Sequence, residues 1–262
     1  MCKTFDTVDH KIAEAEFFLK KMSEVSFDFF EFNCYFSAFL SATRSSTLAL
    51  QQFKHIPGFN DWYEHHRSEL SSNELAISFL KIRNEHVHGG QYPVSSASIN
   101  EGKTLYYLDK KYFMSDKELS NKDVFHLSMD YFLILLNIVY DCYVILGIHI
   151  DPQQYFTKEH FASIGRTIDQ AECEVFGWIC SSLIEEGYTE DDRWDCLRDK
   201  VEKCTINHLF YSYIGKTTPE SNVPDYFHDF EDTPEDKGWT HIPAGFGSIE
   251  DYWEFIEKRP NQ

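Results

Sequence analysis

The chain has 262 residues, 42% hydrophobic and 16% aromatic, enough to bury one large domain or two modest ones. It carries 24 basic against 43 acidic side chains, a formal charge of −19. A protein that holds nucleic acid without sequence preference presents a basic face to the phosphates, so this balance argues against a broadly basic binder and leaves room for a local basic site.

The opening stretch, MCKTFDTVDHKIAEAEFF, has no apolar run followed by a cleavage site, so no secretory signal is expected. Asp9 is a candidate N-cap for a helix in which Ile12, Ala15, Leu19 and Met22 recur at three-to-four spacing. A second helix is expected to begin at Ser26-Phe27-Asp28 and to run through FFEFNCYFSAFLSATRSSTLALQQF, apolar nearly all round as a buried helix is. Its polar exceptions, Asn33, Ser37, Ser41, Arg44 and Ser45, form one line. Small residues on such a line allow close helix packing; facing a cleft, the same line would put the Arg44 charge there.

His55-Ile56-Pro57-Gly58 interrupts the pattern, and FNDWYEHHRSEL reads as a short exposed helix or a lid. Ser72 can cap the next helix, whose stripe is Leu75, Phe79 and Ile82 and which must stop near Gly89-Gly90, before Pro93. Two short strands around Asn100-Glu101-Gly102 predict a hairpin insertion over about 91–118, outside the core. Asn121-Lys122-Asp123 starts a long helix ending at Gly147. Residues 131–150 of it are apolar enough to be mistaken for a membrane span. Asn137 and Asp141, four apart on one face, would be costly in a bilayer, so the segment reads as the central helix of a soluble bundle, with no membrane partner.

Beyond Asp151-Pro152 two further helices are expected, over about 158–186 and 190–214, with a joint at 151–157. The division is therefore 1–150 as a helical bundle, 151–216 as a helical extension and 217–262 as a tail. That tail has eleven acidic and three basic residues, −8 of the total, yet keeps aromatics such as Tyr226, Trp239 and Trp253. Such a composition fits an arm that docks better than a solvated tail. Seven cysteines, at 2, 34, 142, 173, 180, 196 and 204, form no CxxC pair, so reduced thiols in a cytoplasmic protein are expected. No internal repeat, glycine-rich phosphate loop, HExxH or GxSxG is present in the sequence.

Chemistry is densest in RNEHVH, residues 83–88. Asn84 and His88, four apart, share a helical face that the long Arg83 side chain can reach. A guanidinium binds a phosphodiester and stabilises charge developing on its oxygens. A histidine titrating near neutrality can take a proton from a ribose 2′-OH or give one to the leaving oxygen. His86 and His88 lack a third ligand, so no metal and no cofactor is expected.

An arginine, a polar residue and then a histidine after four intervening positions, on a late helix of an all-helical bundle, resembles the HEPN (higher eukaryotes and prokaryotes nucleotide-binding) family. The resemblance spans roughly residues 9–150. It implies an all-α, HEPN-like antiparallel bundle and a metal-independent endoribonuclease acting on RNA, often a toxin or abortive-infection effector in phage defence. It also implies a homodimer whose two motifs face one cleft, and an antitoxin or other regulatory protein as partner. His88 would be the acid or base, Arg83 the phosphate contact and Asn84 the orienting group, with Arg44, Glu85 and His86 as neighbours lining the cleft. Some toxin members carry a tyrosine two places after the histidine; Gly90 stands there in this chain. Two alternatives remain open. One is a catalytically inactive nucleotide- or protein-binding module. The other is a helix C-terminus whose positive side chains merely suit the helix dipole.

Overall fold

The computed structural model describes residues 5–90, 92–113, 118–180 and 187–220. The chain divides into two units, Met1–Ser221 and Asn222–Gln262. The second, with nearly all of the acidic aromatic tail, lies outside the described residues. Among those described, ten α-helices and one two-stranded antiparallel sheet make a mainly helical fold.

Helix α1 (Asp6–Glu24) and helix α2 (Phe29–Leu50) form the first antiparallel pair. The first stripe is as spaced: Ile12, Ala15, Leu19 and Met22 are all buried. Asp9, however, does not cap α1, because the helix starts three residues earlier, after Phe5. One turn inside, its carboxylate faces the core instead of the helix end. At the start of α2 the Asp28 side chain accepts the Glu31 backbone N–H, a conventional N-cap.

Helix α3 (Phe59–Ser72) is the short, mostly exposed helix expected, seated on the buried Phe59 and Trp62. Helix α4 (Glu74–Gly89) is capped by Asn73, which accepts the Ala76 N–H, and not by Ser72, which belongs to α3. It ends where the glycines stand. Gly90 adopts φ +63°, a left-handed conformation that suits glycine as a helix stop.

Strands β1 (Val94–Asn100) and β2 (Lys103–Leu108) pair across Glu101-Gly102 with Asn100 opposite Lys103. The hairpin contributes to the core, contrary to its reading as an insertion outside it: Val94, Tyr106 and Leu108 are buried. Tyr106 stacks on Phe32 at 3.9 Å, accepts the Asp28 N–H and donates to the Ser26 carbonyl, so the α1–α2 turn and the hairpin share one anchor.

Helix α5 (Val124–Ile150) is the axis of the bundle and packs against α1, α4 and β2. Asp123 caps it through the Phe125 and His126 N–H groups. The helix is long and apolar enough to cross a membrane by composition, but 56% of its most apolar window is buried inside the protein. Gly147 is where α5 meets the next element, since a Cβ there would fall on the Gln154 carboxamide.

The two long helices expected beyond residue 158 are broken into shorter pieces. After α6 (Pro152–Tyr155) come α7 (Lys158–Ser163), α8 (Ile168–Phe176), α9 (Glu190–Arg198) and α10 (Asn207–Ile214). Gly165 and Gly177 take positive φ, while Thr167 and Thr189 restart the chain as capping residues. Phe156, Phe161, Ile168, Ala171, Trp194 and Leu197 make a second, smaller core. Beside it Arg193 and Glu172 make a buried ion pair: Arg193 donates to Glu172 at 2.9 and 2.6 Å, and also to the half-exposed Asp169 at 2.6 Å. Burial alone would raise the Glu172 pKa; Arg193 and the Cys180 N–H more than offset it and hold the carboxyl below its usual range. Ile206, Leu209 and Phe210 then return to the main core, beside Tyr140 and Tyr143 of α5.

Candidate functional site

Helices α2, α3, α4 and α5 enclose a cleft of about 770 Å³. Its apolar floor includes Leu40, Phe79 and Leu135, and its wall carries four cations, Arg44, Lys54, Arg67 and Arg83. Among the described residues Glu64 is the single carboxylate in the lining, and it is held by Arg67 at 3.0 Å. In a chain of −19, this is a local reversal of charge.

Arg44 and Arg83 have no carboxylate partner among the described residues. Arg44 reaches the Thr47 hydroxyl at 3.4 Å, and its charge opposes the rise in Tyr131, whose phenol burial pushes up to about 12. Arg83 donates to Asn84 Oδ1 at 3.1 Å, while its buried Nε has no hydrogen-bond partner. A buried donor left unmade costs roughly 1–3 kcal/mol.

Of the six residues singled out from the sequence, then, Arg44 and Arg83 line one cleft and Asn84 touches Arg83. Glu85 does not join them. Two positions round the helix from Arg83, it accepts from the Tyr112 hydroxyl at 2.9 Å and lies 3.6 Å from Lys111 Nζ, on the side of the hairpin. His86 is also away from the cleft lining, 5.8 Å from the Tyr92 ring. His88 stands in the last turn of α4, but its side chain lies outside the described residues.

The polar centre that sequence spacing missed is His66 on α3, which lines this cleft and a second depression of about 720 Å³. Its Nδ1 lies 2.8 Å from Glu69 Oε2 and its Nε2 lies 2.9 Å from Asp141 Oδ2. The same Asp141 oxygen accepts the Trp62 indole N–H at 2.8 Å. The polar face of α5 was visible from Asn137 and Asp141, but nothing local to residues 59–70 announced that Asp141 is met by α3. Ring nitrogens and carboxylates here span two helices 75 residues apart in the chain.

Comparison with protein-family models, with curated proteins and with solved structures finds no match. The cleft therefore has to be read from its own chemistry.

Proposed function

We propose that this chain is a metal-independent endoribonuclease of HEPN type, with the Arg44–Arg83 cleft as its phosphate site. The observation that carries the reading is a pair of arginines that have no carboxylate partner among the described residues, one with an unsatisfied buried Nε, in a strongly acidic chain. Guanidinium forks match phosphate oxygens bidentately and keep their charge at any working pH. Arg83 contacts the scissile phosphate and Asn84 holds the guanidinium in place. The base removes the ribose 2′-OH proton, the 2′-oxygen attacks phosphorus, and the acid protonates the departing 5′-oxygen. The products are a 2′,3′-cyclic phosphate and a 5′-hydroxyl. His88 supplies one of these proton transfers and its copy in a homodimer the other. With the reading go a cytoplasmic setting, a toxin or phage-defence role and an antitoxin-like regulator.

The test is RNA cleavage in EDTA. Wild type should release fragments ending in cyclic phosphate, and Arg83→Ala and His88→Ala should each lose cleavage by about 100-fold or more, the scale of a lost charge-stabilising or acid–base group. Full activity in either variant overturns the assignment. A second reading, nucleotide binding without cleavage, is favoured by the cleft volume, which suits a single small ligand. It predicts no fragments, with nucleotide binding that depends on Arg44 and Arg83.

A further inference from the structure

His66 raises a valence problem that the phosphate cleft does not use. A neutral imidazole has one N–H, yet both ring nitrogens face carboxylate oxygens, Glu69 at 2.8 Å and Asp141 at 2.9 Å. Asp141 Oδ2 already receives the Trp62 N–H, and the ring is nearly enclosed, with 14% of its side chain exposed. With Nε2–H donated to Asp141, the Nδ1 lone pair points at the Glu69 oxygen. Two lone pairs at that distance repel unless a positive centre lies between them. A proton is one such centre; a metal ion is the other.

His65 separates the two. Its Nε2 lies 3.5 Å from the other oxygen of the same Glu69 carboxylate. His65, His66 and Glu69 thus bring two imidazoles and a carboxylate within 4.8 Å of one another. Helix geometry explains the convergence, since Glu69 lies four residues from His65 and three from His66 and so projects between them. A second proton on His66 would satisfy both of its own contacts but would not account for the approach of His65 to the same carboxylate.

The geometry points to a divalent transition-metal site on α3, with zinc as the best-matched ion, bound by His65, His66 and Glu69 with a fourth position open. Two histidines and one carboxylate suit Zn²⁺ in donor type and number. Asp141 supplies what metal-bound histidines usually have behind them, a carboxylate accepting the other ring N–H, which fixes the tautomer and ring orientation. The anchor also accepts the Trp62 indole N–H from α3, the helix that carries the two histidines. Because Asp141 belongs to α5, the bound ion would also tie α3, a wall of the phosphate cleft, to the axis of the bundle. This site is independent of the ribonuclease reading, which requires no metal.

The experiment is a titration of the chelator-stripped full chain with Co²⁺, followed by Zn²⁺ displacement. One equivalent should bind at micromolar metal with visible d–d bands and no near-ultraviolet thiolate charge-transfer band, which separates this site from the cysteines. His65→Ala and Glu69→Gln, both at exposed positions that leave packing intact, should each weaken binding at least ~10-fold, and Asp141→Asn by ~10–100-fold. Absence of stoichiometric binding in wild type overturns the site. So does a thiolate band, or wild-type affinity in His65→Ala. Loss of RNA cleavage in wild type with metal binding intact would remove the ribonuclease and leave this site standing.

Discussion

Asp9 is a carboxyl in a core. Its Oδ2 accepts from the Tyr143 hydroxyl at 2.8 Å and from Thr205 at 3.4 Å, with Cys204 Sγ at 3.8 Å, while Oδ1 has no partner. Burial is the main cause of a pKa raised to about 7 from an ordinary 3.8; the hydrogen bonds only moderate it. The groups facing it are Asp6 on its own helix, Cys142 and Tyr143 from α5 and Cys204 from the segment before α10, and none is cationic. The folded state therefore keeps a proton that the unfolded chain releases. That stabilisation is complete below about pH 4 and is lost as pH rises towards 7. Urea midpoints of wild type should fall across this window relative to Asp9→Asn, whose own profile should lack the contribution. Parallel profiles for the two proteins would exclude a buried titrating Asp9. The sequence marked Asp9 as a helix cap because an acidic residue ahead of a periodic run normally is one. Phe5, immediately before the first helical residue, packs edge-on against Tyr143, 5.2 Å away, and the helix starts there, ahead of Asp9.

Two joints between elements carry measurable weight. Tyr106→Phe keeps the stacked ring on Phe32 but removes the hydroxyl that serves both the Asp28 N–H and the Ser26 carbonyl. Leaving those groups unmet should cost about 1–3 kcal/mol in equilibrium unfolding. Gly147→Ala drives a methyl into the Gln154 side chain, which itself donates to the Tyr143 carbonyl and the Asp151 carboxylate. Overpacking of this kind should cost about 1–3 kcal/mol, visible as a lower thermal midpoint, and Gln154→Ala in the same chain should recover part of it. Helix periods and caps made α1, α2, α4 and α5 readable, and Asn100-Glu101-Gly102 made the hairpin readable, because those signals are local. Gly147 reads locally as the end of α5, yet the helix runs on to Ile150. Its role exists only because Gln154 folds back on the preceding helix.

Across the whole described chain, the extension is not a separable appendage. Residues 156–197 have their own small core, yet Ile206, Leu209 and Phe210 are buried in the main one, and Tyr213 donates to Glu16 of α1 at 3.0 Å. Residues 1–150 alone should consequently lose cooperative unfolding or aggregate, whereas residues 1–221 should unfold in a single main transition; calorimetry distinguishes these outcomes. A stable, cooperative 1–150 fragment would show that the returning helix contributes little.

Composition, hydrophobic period and turn residues were enough to mark a mainly helical chain, helices α1, α2, α4 and α5 and the hairpin, and to single out Arg83, since each is encoded within a few turns of chain. Folding together decided the rest. It placed Arg44 and Arg83 on one cleft and turned Glu85 towards Tyr112. It also set His66 against Asp141 and buried Asp9 under Tyr143. Those facts depend on which helix faces meet, and the energies that select the faces come from contacts between residues as far apart in the chain as 9 and 205. No local spacing records them.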